Sequence, residues 1–153
     1  MQSVKPNPKT NLQIEQLLAV IGAIVCLITC LGVWQIIRLE YNPGNQSASL
    51  WPLPALYLLE LAVLSVMGAA GAFTDRKIGG AIIWAVVGIF LAFARLGASS
   101  IGLFFLPPAF IFAGVGIIWA RRQRQRIIVY AGLSLLAGLG QVVLMLTAIA
   151  LHK

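Results

Sequence analysis

Five long apolar stretches, each followed by a short polar segment, dominate the pattern of hydrophobic and polar positions. They cover residues 14–37, 53–74, 78–96, 101–120 and 127–151. A helix rises about 1.5 Å per residue, so about 20 apolar residues cross a hydrocarbon core that is about 30 Å thick. Each stretch comes close to this length. The pattern predicts an all-α, polytopic transmembrane helical bundle with five crossings, formed as a single domain.

The third and fourth stretches are the least clearly separated. The segment from Arg95 to Ser100 is the break between them, and a tight turn there gives five crossings. Pro107 and Pro108 bear on the start of the fourth helix, because proline fits the first helical turn but disrupts a helix interior. We expect this helix to begin near Leu106, with 101–105 as an apolar loop. The alternative is four crossings with a re-entrant segment.

Composition also favours a membrane environment. Hydrophobic residues make up 60% of the 153 and charged residues 10%, and the mean hydropathy is +0.95. Soluble domains contain about 45–50% apolar and about 25% charged residues. The chain has too few polar side chains to cover a core in water, so we expect lipid to form part of its solvent.

Basic residues are distributed unevenly over the predicted loops. With five crossings, eight of them fall on the side of the N-terminus: Lys5, Lys9, Arg76, Lys77, Arg121, Arg122, Arg124 and Arg126. The other side holds Arg38, Arg95 and Lys153. Because positively charged loops stay in the cytoplasm, we predict a cytoplasmic N-terminus and an external C-terminus, in the plasma or inner membrane.

The net charge of +7 does not indicate a nucleic-acid partner, because the basic residues lie in short clusters between apolar stretches. Anionic lipid headgroups on the inner side of the bilayer are the simpler partner. The candidate contacts to them are Arg76, Lys77, Arg121, Arg122, Arg124 and Arg126.

Glu60 is an acidic residue well inside the second stretch, about 10 Å below the outer boundary. A carboxylate at this depth costs several kcal/mol unless it is paired, protonated or hydrated. We expect an ion pair with Arg95, near the outer end of the third helix. The alternatives are a protonated or snorkelling carboxyl and a proton or cation site.

Gln141 is the other deep polar group, near the middle of the fifth helix. Helical spacing places it on one face with Ser134 and Gly138, whereas leucines such as Leu135 occupy the opposite face. Small residues let helices approach closely, so we predict a packing face; the lining of a polar cavity is the alternative. The candidate intramembrane polar site comprises Glu60, Arg95 and Gln141.

Small residues mark two further helix faces. In the first helix, Gly22, Cys26 and Cys30 recur at every fourth position, which predicts close packing. A metal or redox site is disfavoured, because no histidine or third cysteine lies nearby in the sequence. In the second helix, small residues on one face and Glu60 on the other suggest protein contacts on both sides. We therefore expect this helix at the centre of the bundle.

The sequence contains no motif of nucleotide binding, metal binding or hydrolysis. We therefore expect a small non-enzymatic membrane protein without a cofactor. The favoured role is an accessory or scaffold subunit that associates with itself or with a larger membrane complex. The alternatives are a small oligomeric transporter or channel with Glu60 near its path, and a lipid-modifying membrane enzyme that uses Glu60 as a base.

Overall fold

The described part of the chain folds into five α-helices. The structure is a computed structural model that describes residues 8–40, 53–74, 76–96, 102–122 and 127–151. The helices are α1 (Pro8–Glu40), α2 (Leu53–Gly71), α3 (Arg76–Leu96), α4 (Leu106–Arg122) and α5 (Ile127–Leu151). A 3-10 helix, Gly102–Phe105, directly precedes α4. The predicted all-α helical bundle is confirmed.

Four of the helices contain a segment that is long and apolar enough to cross a membrane. These segments are Gln13–Leu39, Ile78–Leu96, Gly102–Arg121 and Ile127–Thr147. The remaining helix, α2, contributes a shorter apolar segment, Ala55–Gly71. Helices of this length and apolarity indicate an integral membrane protein.

The start of α4 agrees with the position of its two prolines. The helix begins at Leu106, so Pro107 and Pro108 lie in the first turn, where a backbone N–H has no partner within the helix. The residues before it form a 3-10 helix rather than the expected loop, and Phe105 is buried there. Most of the predicted turn between α3 and α4, at 97–101, lies outside the described residues.

Helices α1 to α4 form a ring, and α5 packs on its outside. Within the ring, α1 contacts α2 and α4, and α3 contacts the same two helices. Helix α5 packs mainly against α3 and touches α4 only slightly. The central helix is therefore α3, and the expectation that α2 occupies the centre was wrong.

Glycines explain how α3 reaches neighbours on opposite sides. Gly79 lies directly against the carbonyl group of Gly71 in α2, and Gly88 lies against the carbonyl group of Ser134 in α5. A Cβ atom at either glycine would overlap with that carbonyl group. The absent side chains therefore allow α3 to approach both helices at backbone distance.

Phe112 of α4 fills the middle of the ring. It is fully buried, and its ring centroid lies 5.9 Å from that of Phe90 in α3. The same ring lies against Gly22 of α1 and Gly68 of α2, where a Cβ atom at Gly68 would come within 2.8 Å of the Phe112 Cε1 atom. One aromatic side chain thus touches all three other helices of the ring.

The small-residue face of α1 is a packing face, as predicted, and it meets two helices: Cys26 and Cys30 pack against α2, and Gly22 lies against Phe112 of α4. Cys26 and Cys30 are free, buried thiols. The Cys26 thiol donates to the Leu61 carbonyl oxygen at 3.7 Å, and the Cys30 thiol donates to the Leu58 carbonyl oxygen at 3.6 Å. Both cysteines therefore serve as small packing residues that bond weakly to the backbone of α2.

Candidate functional site

The polar contact between α2 and α5 joins Glu60 to Gln141. Glu60 is half-buried, and the Gln141 side chain is 6% exposed. The Gln141 amide is a neighbour of the Glu60 carboxyl group, yet its Nε2 atom forms no hydrogen bond with any of the described residues. The Gln141 amide nitrogen therefore retains an unused donor next to the carboxyl group.

Tyr57 adds a second unbonded polar group to the same region. It precedes Glu60 by one helical turn and so lies on the same side of α2. Its ring packs edge-on against Phe93 of α3, with centroids 5.6 Å apart, but its buried hydroxyl forms no hydrogen bond within the described part of the chain. Buried polar groups in proteins nearly always form hydrogen bonds. The Tyr57 hydroxyl and the Gln141 amide nitrogen are therefore two unusual groups, and both lie close to the Glu60 carboxyl group.

Arg95 does not share this region. It lines a groove between α3, α4 and α5, and its side chain is exposed at the last turn of α3. Within the described part of the chain, Glu60 meets Gln141 and not Arg95. The structure thus brings together two of the three predicted site residues and places the third elsewhere.

The groove beside Arg95 exists because α5 leans on α3 and stays apart from α4. Its volume is about 550 Å³, and it is open along one side. The floor is the α3–α5 contact, where a Cβ atom at Gly138 would lie 2.8 Å from the carbonyl oxygen of Gly88. The walls are apolar apart from Ser134 and Arg95, and Arg95 is the one charged residue among those that line the groove.

The predicted packing face of α5 is confirmed. Ser134 and Gln141 are buried, whereas Leu135 and Leu139 on the opposite face are 64% and 55% exposed. Gln141 therefore lies in a protein contact. It is also the residue through which α5 meets the carboxyl group of α2.

The predicted contacts to anionic headgroups lie mostly beyond the part of the structure that can be described. Arg76 and Lys77 begin α3, and Arg121 and Arg122 end α4, so the four lie at the same end of two packed antiparallel helices. Arg121 is exposed. The side chains of Arg76, Lys77 and Arg122, and all of Arg124 and Arg126, lie outside the described residues.

Glu15 is a buried acidic residue that the sequence pattern did not single out. It lies in α1, is 3% exposed and takes part in a polar interaction. Hydropathy marks the position as the polar edge of the first stretch, because the uninterrupted apolar run begins only at Leu17. Glu15 lies less than one helical turn before that run, and this closeness was the sequence signal that could have predicted its burial.

No protein-family model, curated protein or solved structure matches the chain. Among the described residues, no three His, Cys, Asp or Glu side chains are grouped so that they could hold a metal ion. The polar contact between α2 and α5, the groove beside Arg95 and the exposed surface of α5 are therefore the features from which a function is argued.

Proposed function

We propose that the protein is a multi-pass component of the plasma or inner membrane with five crossings, a cytoplasmic N-terminus and an external C-terminus. The excess of basic residues at the α3 start and the α4 end supports this orientation, because such residues stay on the cytoplasmic side. The same residues give that side its affinity for anionic headgroups.

Its proposed role is non-enzymatic: it acts as an accessory or scaffold subunit that associates through α5 with a second copy or with a larger membrane complex. The observation that carries this proposal is the position of α5. Only 11% of its apolar span is buried within the bundle, against 50% for α3. A peripheral helix with so little internal contact has most of its surface available for another chain.

One face of α5 has the composition expected for helix association. Gly132 and Gly140 lie on it, and a Cβ atom at either glycine would meet no other atom within 4 Å. Leu136 and Val143 share this face and are 68% and 61% exposed. Helices in lipid associate by close packing at small residues, because there is little hydrophobic driving force between them. The groove lies on a different side of α5, so this face is free for a partner helix.

Cysteine crosslinking in membranes tests the association. Gly140→Cys is expected to yield a disulfide between two copies when a mild oxidant is added, because position 140 is exposed on the proposed contact face. The native thiols Cys26 and Cys30 are buried in the α1–α2 contact and should not compete. Gly32→Cys on α1 is the matched control, since Gly32 is also exposed with open space around it. The control is expected to remain uncrosslinked.

A complementary measurement is the mass of the native particle in mild detergent. Gly140→Leu should weaken the association by about tenfold or more, because overpacking at a close helix contact costs about 1–3 kcal/mol. Gly32→Leu should leave it unchanged. A strictly monomeric wild-type protein without a co-purifying chain, together with no crosslink from Gly140→Cys, would refute the scaffold role.

A small oligomeric transporter or channel is the second candidate, and the contact of Glu60 with Gln141 favours it. A membrane-embedded carboxyl group can take up and release a proton, and the amide nitrogen beside it can donate to the deprotonated form. In liposomes, wild-type protein should then move protons faster than Glu60→Gln, with Arg121→Gln as a control. Fluxes that never exceed those of protein-free vesicles would exclude this candidate.

A further inference from the structure

We propose that the groove between α3, α4 and α5 binds an acyl chain of an anionic phospholipid whose phosphate is held by Arg95. This site differs from the basic cluster at the other end of α3. It also lies on a different side of α5 from the face proposed for association, so it stands independently of the scaffold role.

The walls of the groove suit a hydrocarbon chain. Small residues from all three helices leave the space open, namely Gly88, Ala92, Ala113, Ala131 and Gly138. Its volume of about 550 Å³ is within the range of about 300–1,000 Å³ found for small-molecule sites. Because the groove opens sideways, a lipid can enter it directly from the bilayer.

The groove is elongated and has its charge at one end. It runs along α3 from Trp84 to Arg95, which is about 16 Å at the rise of a helix. An apolar groove of this length suits a chain of methylene groups. A second copy of α5 fits less well, because α5 contains no acidic residue that could pair with Arg95.

Arg95 lies at the correct depth for a headgroup. It comes 19 residues after Arg76 at the start of the same helix, so the two are about 29 Å apart along the helix axis. This distance is close to the thickness of the hydrocarbon core, about 30 Å. Arg95 is therefore level with the headgroups of the leaflet opposite the basic cluster, at the end of the groove.

Charge selects the headgroup. No carboxylate is among the residues that line the groove, so no acid within it neutralises Arg95. A guanidinium group presents a planar fork of donors that matches a phosphate, and its charge favours a lipid with a net negative headgroup over a zwitterionic one. The occupant that fits both the walls and the charge is an anionic phospholipid.

Tryptophan quenching tests the site, because Trp84 lines the groove. A variant that retains only Trp84 is placed in phosphatidylcholine vesicles that contain a minor fraction of phosphatidylglycerol or phosphatidylcholine with brominated acyl chains. Brominated phosphatidylglycerol is expected to quench Trp84 with about fivefold higher affinity, the factor that one arginine near the surface contributes. Arg95→Gln should abolish the preference, and Arg121→Gln should retain it.

A second single-tryptophan variant that retains only Trp34 is the matched control. Trp34 is 42% exposed on α1 and is not among the residues that line the groove. Because it lies one turn before Arg38, it can show a lipid preference of its own, but that preference should not change with Arg95→Gln. Equal quenching of Trp84 by both lipids, or a preference at Trp84 that survives Arg95→Gln, would overturn the proposal.

Native mass spectrometry of the protein with all tryptophans intact provides a readout that does not depend on these variants. Wild type is expected to retain more phosphatidylglycerol than phosphatidylcholine from an equal mixture. Arg95→Gln and the groove-filling change Ala131→Phe should each reduce this excess by about one bound lipid, because the basic cluster at the other end of α3 still binds anionic headgroups. Leu136→Phe, on the face of α5 proposed for association, should leave the excess unchanged. An excess equal to that of wild type in both groove variants would contradict the site.

Discussion

At the scale of single residues, Tyr57 of α2 shows that burial can both stabilise and destabilise a helix contact in this bundle. The Tyr57 hydroxyl is buried without a hydrogen bond, while its ring makes an edge-on contact with Phe93. The two parts of the side chain therefore act in opposite directions. Ring packing stabilises the α2–α3 contact, and the unbonded hydroxyl destabilises it.

Tyr57→Phe separates these effects. We expect it to raise the free energy of unfolding by about 1–2 kcal/mol, because a buried hydroxyl without a partner costs about 1–3 kcal/mol in proteins. Tyr57→Leu, which removes the ring contact as well, should lower it. Reversible unfolding in sodium dodecyl sulfate, followed by circular dichroism, measures both. Destabilisation by Tyr57→Phe would show that the hydroxyl does have a partner, such as a bound water.

The burial of Gln141 could be predicted from helical spacing, because Ser134 and Gly138 mark the packing face of α5. The partner of Glu60 could not. Similar depth in the membrane suggested Arg95 as the partner. However, depth does not determine which helices are neighbours or on which face of its helix a side chain lies. The bundle places Arg95 in the groove and turns Glu60 toward Gln141.

At the scale of elements, the α3–α5 contact depends on the absence of side chains. Gly88 lies against the carbonyl group of Ser134, and Gly138 lies against that of Gly88. Since α5 has little other contact with the bundle, this crossing largely determines where α5 lies. The α3–α5 crossing therefore determines both the position of the groove and the exposure of the α5 face that carries Gly132 and Gly140.

Gly88→Ala should therefore destabilise the α3–α5 contact strongly, although it adds only one methyl group. We expect a loss of about 1–3 kcal/mol in the free energy of unfolding, the usual effect of overpacking, together with greater protease sensitivity in α5. Gly114→Ala in α4 is the control, since no atom lies within 4 Å of the added methyl group there. If both variants retain wild-type stability, the two helices are not in backbone contact.

Element boundaries were predictable where local chemistry determines them. The prolines of α4 placed its start at Leu106, and the structure agrees. The beginning of α1 was not predictable from hydropathy, because its first turns, from Pro8, are polar. The helix begins at Pro8, ahead of the apolar stretch, and Glu15 near the edge of that stretch is buried.

At the scale of the whole molecule, the ring of α1 to α4 with a peripheral α5 could not be inferred from the sequence. Five similar apolar stretches fix the number of helices but not their neighbours. The central position of α3 depends on Gly79 and Gly88, each of which meets a different helix. The glycines inside an apolar stretch therefore say more about which helices pack together than the hydropathy of the stretch does.

The proposed orientation predicts that a tag after Lys153 is exposed on the outside of the cell. An impermeant protease added to intact cells should remove a C-terminal tag and spare an N-terminal one, because five crossings place the ends on opposite sides. Permeabilised cells serve as the control, in which both tags are cleaved. Protection of both tags in intact cells would indicate an even number of crossings.

The short apolar segment of α2 has a consequence for where the protein resides. Ala55–Gly71 extends about 26 Å, a few ångströms less than a typical hydrocarbon core of about 30 Å. With all five helices crossing, this hydrophobic mismatch compresses the surrounding bilayer or draws water toward the ends of α2. Given two membranes of unequal thickness, the protein should partition into the thinner one, and lengthening α2 by one apolar turn should reverse that preference.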